Sequence, residues 1–111
     1  MDKQVAELVR ERSKGYCEVC GGVARENMAL HHRKLRSRGG QDTVSNLIYV
    51  HHDCHNLGTH SIHLNPEWAE NNGYMVPSWK EPHEYPMLTP EGIYVLLLND
   101  GSIKKLGRQN D

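Results

Sequence analysis

Two pairs of potential zinc ligands, Cys17-x-x-Cys20 and His51-x-x-Cys54, constrain this chain more than any other feature. Structural zinc takes four soft or borderline donors in a tetrahedron, commonly as two pairs with a short spacer inside each. The chain has reason to use such a staple. It has 111 residues, is only 37% hydrophobic and contains no phenylalanine, so a single domain built from it has a modest core. A structural zinc would supply folding free energy that packing does not. The three cysteines, Cys17, Cys20 and Cys54, cannot all pair as disulfides. A redox pair at Cys17-x-x-Cys20 is the competing reading, but Gly21-Gly22 follows it where a redox motif wants a helix. The N-terminal stretch "MDKQVAELVRERSKG" is charged and unlike a signal peptide. No apolar run approaches the roughly 20 residues of a bilayer span, so a reducing, cytoplasmic setting with no membrane partner is expected.

The interval between the two pairs is longer than a simple zinc ribbon needs, so something of independent use is inserted there. Val5, Leu8 and Val9 recur at helical spacing and Gly15 follows as a stop, which predicts a short amphipathic helix over residues 3–14. "MALHH" and "NLIYV" read as two strands joined by the polar loop "RKLRSRGGQDTVS", bent at Gly39-Gly40. Asn65 as N-cap, Pro66 at the first helical position and Gly73 past the end predict a second helix. Residues 74–90 hold four of the five prolines and are expected to run extended along the surface. "EGIYVLLLNDGSIKKL" reads as a hairpin turning at Asn99-Asp100-Gly101. The expected fold class is a small zinc-stapled α+β domain spanning 1–111, with an N-terminal helix, a core at 15–73 and a C-terminal extension at 74–111.

Net charge is −1, yet its distribution is uneven. Residues 1–40 carry nine Lys/Arg against five Asp/Glu, and residues 41–111 carry four against nine. Arg33, Lys34, Arg36 and Arg38 make the densest basic stretch, where phosphate contact would centre; the bland alternative is a solvated loop. Arg10 and Arg12 on the first helix add to that surface or simply face solvent. Seven of the eight histidines fall between positions 31 and 63. Neighbours on a strand point to opposite faces, so of His31 and His32 one can bind metal while the other faces a substrate. Phosphodiester hydrolysis needs those two functions, a base for the attacking water and a cation for the phosphate.

In order along the chain, "CEVCG", "LHHRKLRSRGGQD" and "SNLIYVHHDCH" resemble the His-Asn-His (HNH) endonuclease family. The later "HLNPEWAENNGYMVPSW" is similar to the tail of its bacteriophage-type members. The resemblance implies a ββα-metal fold, two strands and a helix around one divalent ion, and DNA as partner and substrate. Carried over by position, it makes His31 and His55 metal ligands, His32 the general base, and Asn46 the residue whose backbone bonds aim that base. An unperturbed histidine titrates near about 6.5 and so keeps a neutral fraction at neutral pH. The third ligand departs from the common pattern, because Thr59 stands where many members have histidine. His63 is preferred, His60 is the fallback, and a site of two histidines completed by water and phosphate is the remaining option. The histidine shell suits Mg, Mn, Ni or Zn. The resemblance further implies phage DNA processing beside packaging proteins in a bacterial cytoplasm, and a monomer is expected. A non-catalytic zinc module binding DNA or a protein partner is the rival. His52 and Asp53 are expected to be exposed spacers, Asp42 a loop-stabilising acceptor, and Trp68, Tyr74 and Trp79 core residues. The terminal hairpin reads as scaffold.

Overall fold

The computed structural model describes residues 2–108; Met1 and residues 109–111 of the expected domain lie outside the described residues. Helix α1 (Lys3–Ser13) starts where the Asp2 carboxylate accepts the Gln4 N–H, and ends where Lys14 turns left-handed at φ 57°. Its inward stripe carries Val9, fully buried against Val44 and Leu47. Burying one such valine contributes roughly 1.5–3 kcal/mol. Arg12 lies on the same inward stripe, which corrects the expectation of a phosphate-facing helix surface. Its guanidinium forms two bonds to Glu18 and donates to the Val44 and Leu47 carbonyls, tying α1 to the chain below.

Strands β1 (Met28–His32) and β2 (Leu47–His51) pair antiparallel, with His31 opposite Ile48 and His32 opposite Leu47. One face of the pair presents Ile48 and Val50 to the larger core. The other presents Leu30, Leu47 and Tyr49 to α1. The strand period thus sends His31 and His32 to different faces. Ahead of β1, the Cys17–Cys20 turn closes on itself through bonds from Cys17 N–H to Gly22 and from Gly21 N–H to Cys17. It is fastened to β2 by the Glu18–Tyr49 backbone bond of 2.9 Å.

Directly after β2 the chain makes a single wide turn at Asp53–Leu57 and stops at Gly58. Helix α2 (Pro66–Asn71) begins with proline, as expected. Asn65, expected to cap it with its side chain, instead donates its amide to the Thr59 and Ser61 carbonyls and pins the preceding loop. Gly73 follows at φ 80°, where a Cβ would lie 2.0 Å from the Pro86 carbonyl oxygen.

Residues 74–90 correct a second expectation. Tyr74, Met75, Val76 and Met87 are core residues rather than surface ones, and the Val76 N–H bonds to the Arg33 carbonyl. The expected terminal hairpin is present as β4 (Ile93–Leu97) and β5 (Ile103–Arg108), turned at Gly101 with φ 93°. It gains a third member, β3 (Met87–Leu88), in the order β3-β4-β5. Met87, Val95 and Leu97 carry this sheet into the same core as Ile48, Val50 and Cys17. The fold is therefore a small α+β arrangement with one N-terminal helix and antiparallel strands. Among the described residues no helix is long and apolar enough to cross a membrane.

Candidate functional site

Two clusters of metal-ligating side chains meet at the end of β2. In the first, one donor atom from each of Cys17, Cys20, His51 and Cys54 lies within 4.8 Å of every other. The His51 Nε2–H donates to the Val23 carbonyl at 2.8 Å, which leaves the Nδ1 lone pair facing Cys20 Sγ at 3.3 Å. Such a carbonyl partner fixes the tautomer a metal-binding imidazole needs. Burial resists ionisation of Cys17, yet hydrogen bonds from the backbone at Cys20, His51 and Val19 hold its thiol below the ordinary value. Burial, followed by the neighbouring Cys17 charge, pushes Cys54 up to about 12. Three thiolates and one imidazole with converging lone pairs suit a tetrahedral zinc ion, and the donor set fits that metal.

In the second cluster, donor atoms of His31, His55 and His63 also lie within 4.8 Å of one another. The rings meet edge to face, with centroids 4.6–5.2 Å apart. His31 Nε2–H donates to the Tyr74 carbonyl at 2.7 Å, which leaves the Nδ1 lone pair free for a ligand. The Nε2 atoms of His55 and His63 stand 3.0 Å apart. Burial is the main reason that His31 is driven down to about 3, with the neighbouring imidazoles adding to it. Burial and then His63 lower His55 as well. His31 is thereby held neutral, as a metal ligand must be.

His63 reaches this cluster through chain geometry rather than helical spacing. The Ile62 N–H bonds to the Cys54 carbonyl and the His63 N–H to the His55 carbonyl, closing a loop whose two ends carry the ligands. His60, the fallback, is exposed and lies outside the cluster, as does exposed His52. Asp53 is exposed and pairs with Arg25 at 3.1 Å.

His32 is half-buried and its Nε2 stands 2.6 Å from Asp42 Oδ1. That bond from His32 is the first cause of the lowered Asp42 carboxyl, and Arg36 reinforces it at 3.0 Å. Donation from Nε2–H leaves His32 Nδ1 as the proton acceptor. Asp42, expected only as a loop-stabilising acceptor, thus also accepts from His32, a contact that sequence reasoning missed. The available signal was an acid two residues after the Gly39-Gly40 bend that returns the chain toward His32.

Asn46 is fully buried. Its Oδ1 accepts the Lys34 N–H at 2.6 Å, and its Nδ2 donates to the Lys34 and Gln41 carbonyls. One side chain thereby clamps both ends of the loop between His32 and Asp42. Gly40 completes the clamp, since a Cβ there would sit 1.7 Å from the Lys34 carbonyl oxygen.

The basic stretch divides. Arg33, expected on phosphate, is 0% exposed and donates to the carbonyls of Gly73, Ser45, Pro82 and Tyr85. Burial lowers it to about 9, which still leaves a cation at neutral pH, compensated by those carbonyl dipoles. Lys34 is also buried and donates to the Lys80 carbonyl at 3.0 Å. Both are corrected from phosphate contacts to internal ties. Arg36 is exposed and Arg38 partly so, the latter donating to Val76 at 3.4 Å. Among the aromatics only Tyr74 is buried as expected; Trp68 rests against it at 5.2 Å but is itself exposed, and Trp79 is more exposed still, so neither tryptophan is a core residue.

The family model for HNH endonuclease matches residues 17–61, the interval from the first zinc-type cysteine to the loop before His63. No curated protein and no solved structure matches the chain.

Proposed function

From the match of residues 17–61 to the HNH endonuclease family model and the two clusters of metal ligands, we propose that this protein is a metal-dependent DNA endonuclease. The observation that carries this reading is the placement of His32 and the His31–His55–His63 cluster around one strand end. His32 Nε2 is engaged by Asp42 at 2.6 Å while Nδ1 is left to accept a proton. In this reading His32 takes the proton from water as it attacks phosphorus, and Asp42 steadies the imidazolium that results. Asn46 holds the loop that connects the two. A divalent ion (Mg, Mn, Ni or Zn) on His31, His55 and His63 would stabilise charge on the scissile phosphate and the leaving oxygen. Structural zinc on Cys17, Cys20, His51 and Cys54 would fix the direction of His55, because Cys54 and His55 are consecutive. Arg36 and Arg38 are the phosphate contacts that remain once Arg33 and Lys34 are internal.

The test is cleavage of supercoiled plasmid with each of the four metals, by wild type and by His32→Ala. Relaxed or linear product from wild type, lost in the variant, is expected. A plasmid left intact under every metal, by protein that still binds it, refutes the enzyme and favours a non-catalytic zinc module.

A further inference from the structure

Trp79 is 77% exposed, more than any other large hydrophobic side chain among the described residues. It stands in a tight turn closed by the Lys80 N–H on the Pro77 carbonyl at 3.1 Å. Two side-chain donors and one backbone bond fix that turn to the loop leaving His32. Lys34 Nζ donates to the Lys80 carbonyl at 3.0 Å, Arg38 to the Val76 carbonyl at 3.4 Å, and the Val76 N–H to Arg33 at 2.8 Å. The indole is therefore exposed to solvent on a turn tied to Arg33, Lys34 and Arg38, the residues that follow the proposed base in the chain.

Charge around it is selective. Two acids of the neighbourhood have cationic partners, Asp42 with Arg36 at 3.0 Å and Glu81 with Lys34 at 3.9 Å, and Glu84 lies 3.6 Å from the His83 imidazole. Arg38 and Lys80 make no ion pair among the described residues. An exposed indole with Lys80 next to it in the chain and Arg38 bonded to Val76 at the start of the same segment suits the alternation of base and phosphate along one nucleic-acid strand. Bases inside a duplex already stack on each other and offer only their edges, so an indole face needs a base that is unpaired.

We propose that Trp79, flanked by Arg38 and Lys80, stacks on the base of an unpaired nucleotide next to the cleaved phosphodiester, making single-stranded or locally opened DNA the favoured substrate. This rests on the nuclease reading for its position beside the scissile bond.

The experiment measures binding without turnover, in zinc-loaded His32→Ala protein, to a short single strand and to its duplex at one salt concentration. Adding Trp79→Ala should weaken single-strand binding about tenfold or more and leave the duplex within about twofold, while Trp79→Phe stays within about threefold. In Trp68→Phe protein, the single strand should quench the remaining indole fluorescence. Zinc content and melting temperature should not change at so exposed a position. Unaltered single-strand affinity in Trp79→Ala, the result expected of an indole that docks a protein partner, overturns the proposal. So does an equal loss on strand and duplex. Plasmid cleavage by wild type separates the two readings. Trp79-dependent binding by protein that never cuts overturns the nuclease and keeps the stacking site; cleavage with Trp79-independent binding does the reverse.

Discussion

Arg33→Met should destabilise the fold severely while leaving the exposed basic surface untouched. The wild-type guanidinium satisfies four carbonyls, those of Gly73, Ser45, Pro82 and Tyr85, at 2.6–3.0 Å. Each buried acceptor left without a donor costs about 1–3 kcal/mol. The Tyr85 bond is only part-buried and is set aside, because water can replace it. The other three, taken near the low end of that range, give a loss of about 3–5 kcal/mol. A domain of this size has about 5–15 kcal/mol in total, and melts roughly 4 °C lower for each kcal/mol removed. A fall of about 12–20 °C in a thermal melt with saturating zinc is therefore expected. Arg33→Lys should fare little better, since one ammonium cannot reach carbonyls splayed around a planar fork. If both variants melt within about 4 °C of wild type and lose DNA affinity instead, Arg33 is a phosphate contact and not an internal tie.

His51→Ala should abolish stoichiometric zinc and unfold the protein, because structural zinc contributes about 10–16 kcal/mol in small domains; metal analysis with circular dichroism checks it, and a loaded, folded variant removes His51 from the site. His63→Ala should weaken divalent-ion binding by calorimetry at least about tenfold while His60→Ala does not, and the opposite ranking would exchange their roles. Asp42→Ala should lower kcat about 100-fold with KM nearly unchanged; a change confined to KM would mean that Asp42 only shapes binding. Acid should destabilise the protein when no divalent ion is added. His31 is held near about 3 in the fold against 6.5 as its ordinary value, so between those values the unfolded chain binds a proton that the folded chain does not. Its contribution is full above about pH 6.5 and falls as pH drops toward about 3, by a few kcal/mol in all. Melts from about pH 7 to about pH 4.5 should show this slope, and His31→Asn should flatten it; equal slopes would clear His31.

What the sequence disclosed and what it hid follow from how far each signal reaches along the chain. Cys17, Cys20, His51 and Cys54 were legible because ligand spacing is local, as were α1, β1 and β2 from their apolar patterns. Strand β3 is two residues long and carries no periodicity of its own. Arg33 looked like its neighbours Arg36 and Arg38, since nothing local reveals that carbonyls from residues 40–52 positions away converge on it. Trp79 misled in the opposite sense. An indole is ordinarily half a core residue, and only the tertiary placement of its turn shows that no core lies over it. Asp42 was seen but underrated, because its value depends on a loop conformation set by Asn46 and Gly40.

The loop carrying His55 and His63 is closed at its base by Cys54–Ile62 and His55–His63 backbone bonds, and is braced from inside by Asn65. Both imidazoles therefore sit at the stem and none of the chemistry sits at the tip. Closure entropy grows only slowly with length, about 0.6 kcal/mol per doubling. The side chains at the tip, Leu57 and His60, point to solvent and take no part in that closure, so either can be exchanged, for instance for a cysteine carrying a fluorescent tag, without moving a metal ligand.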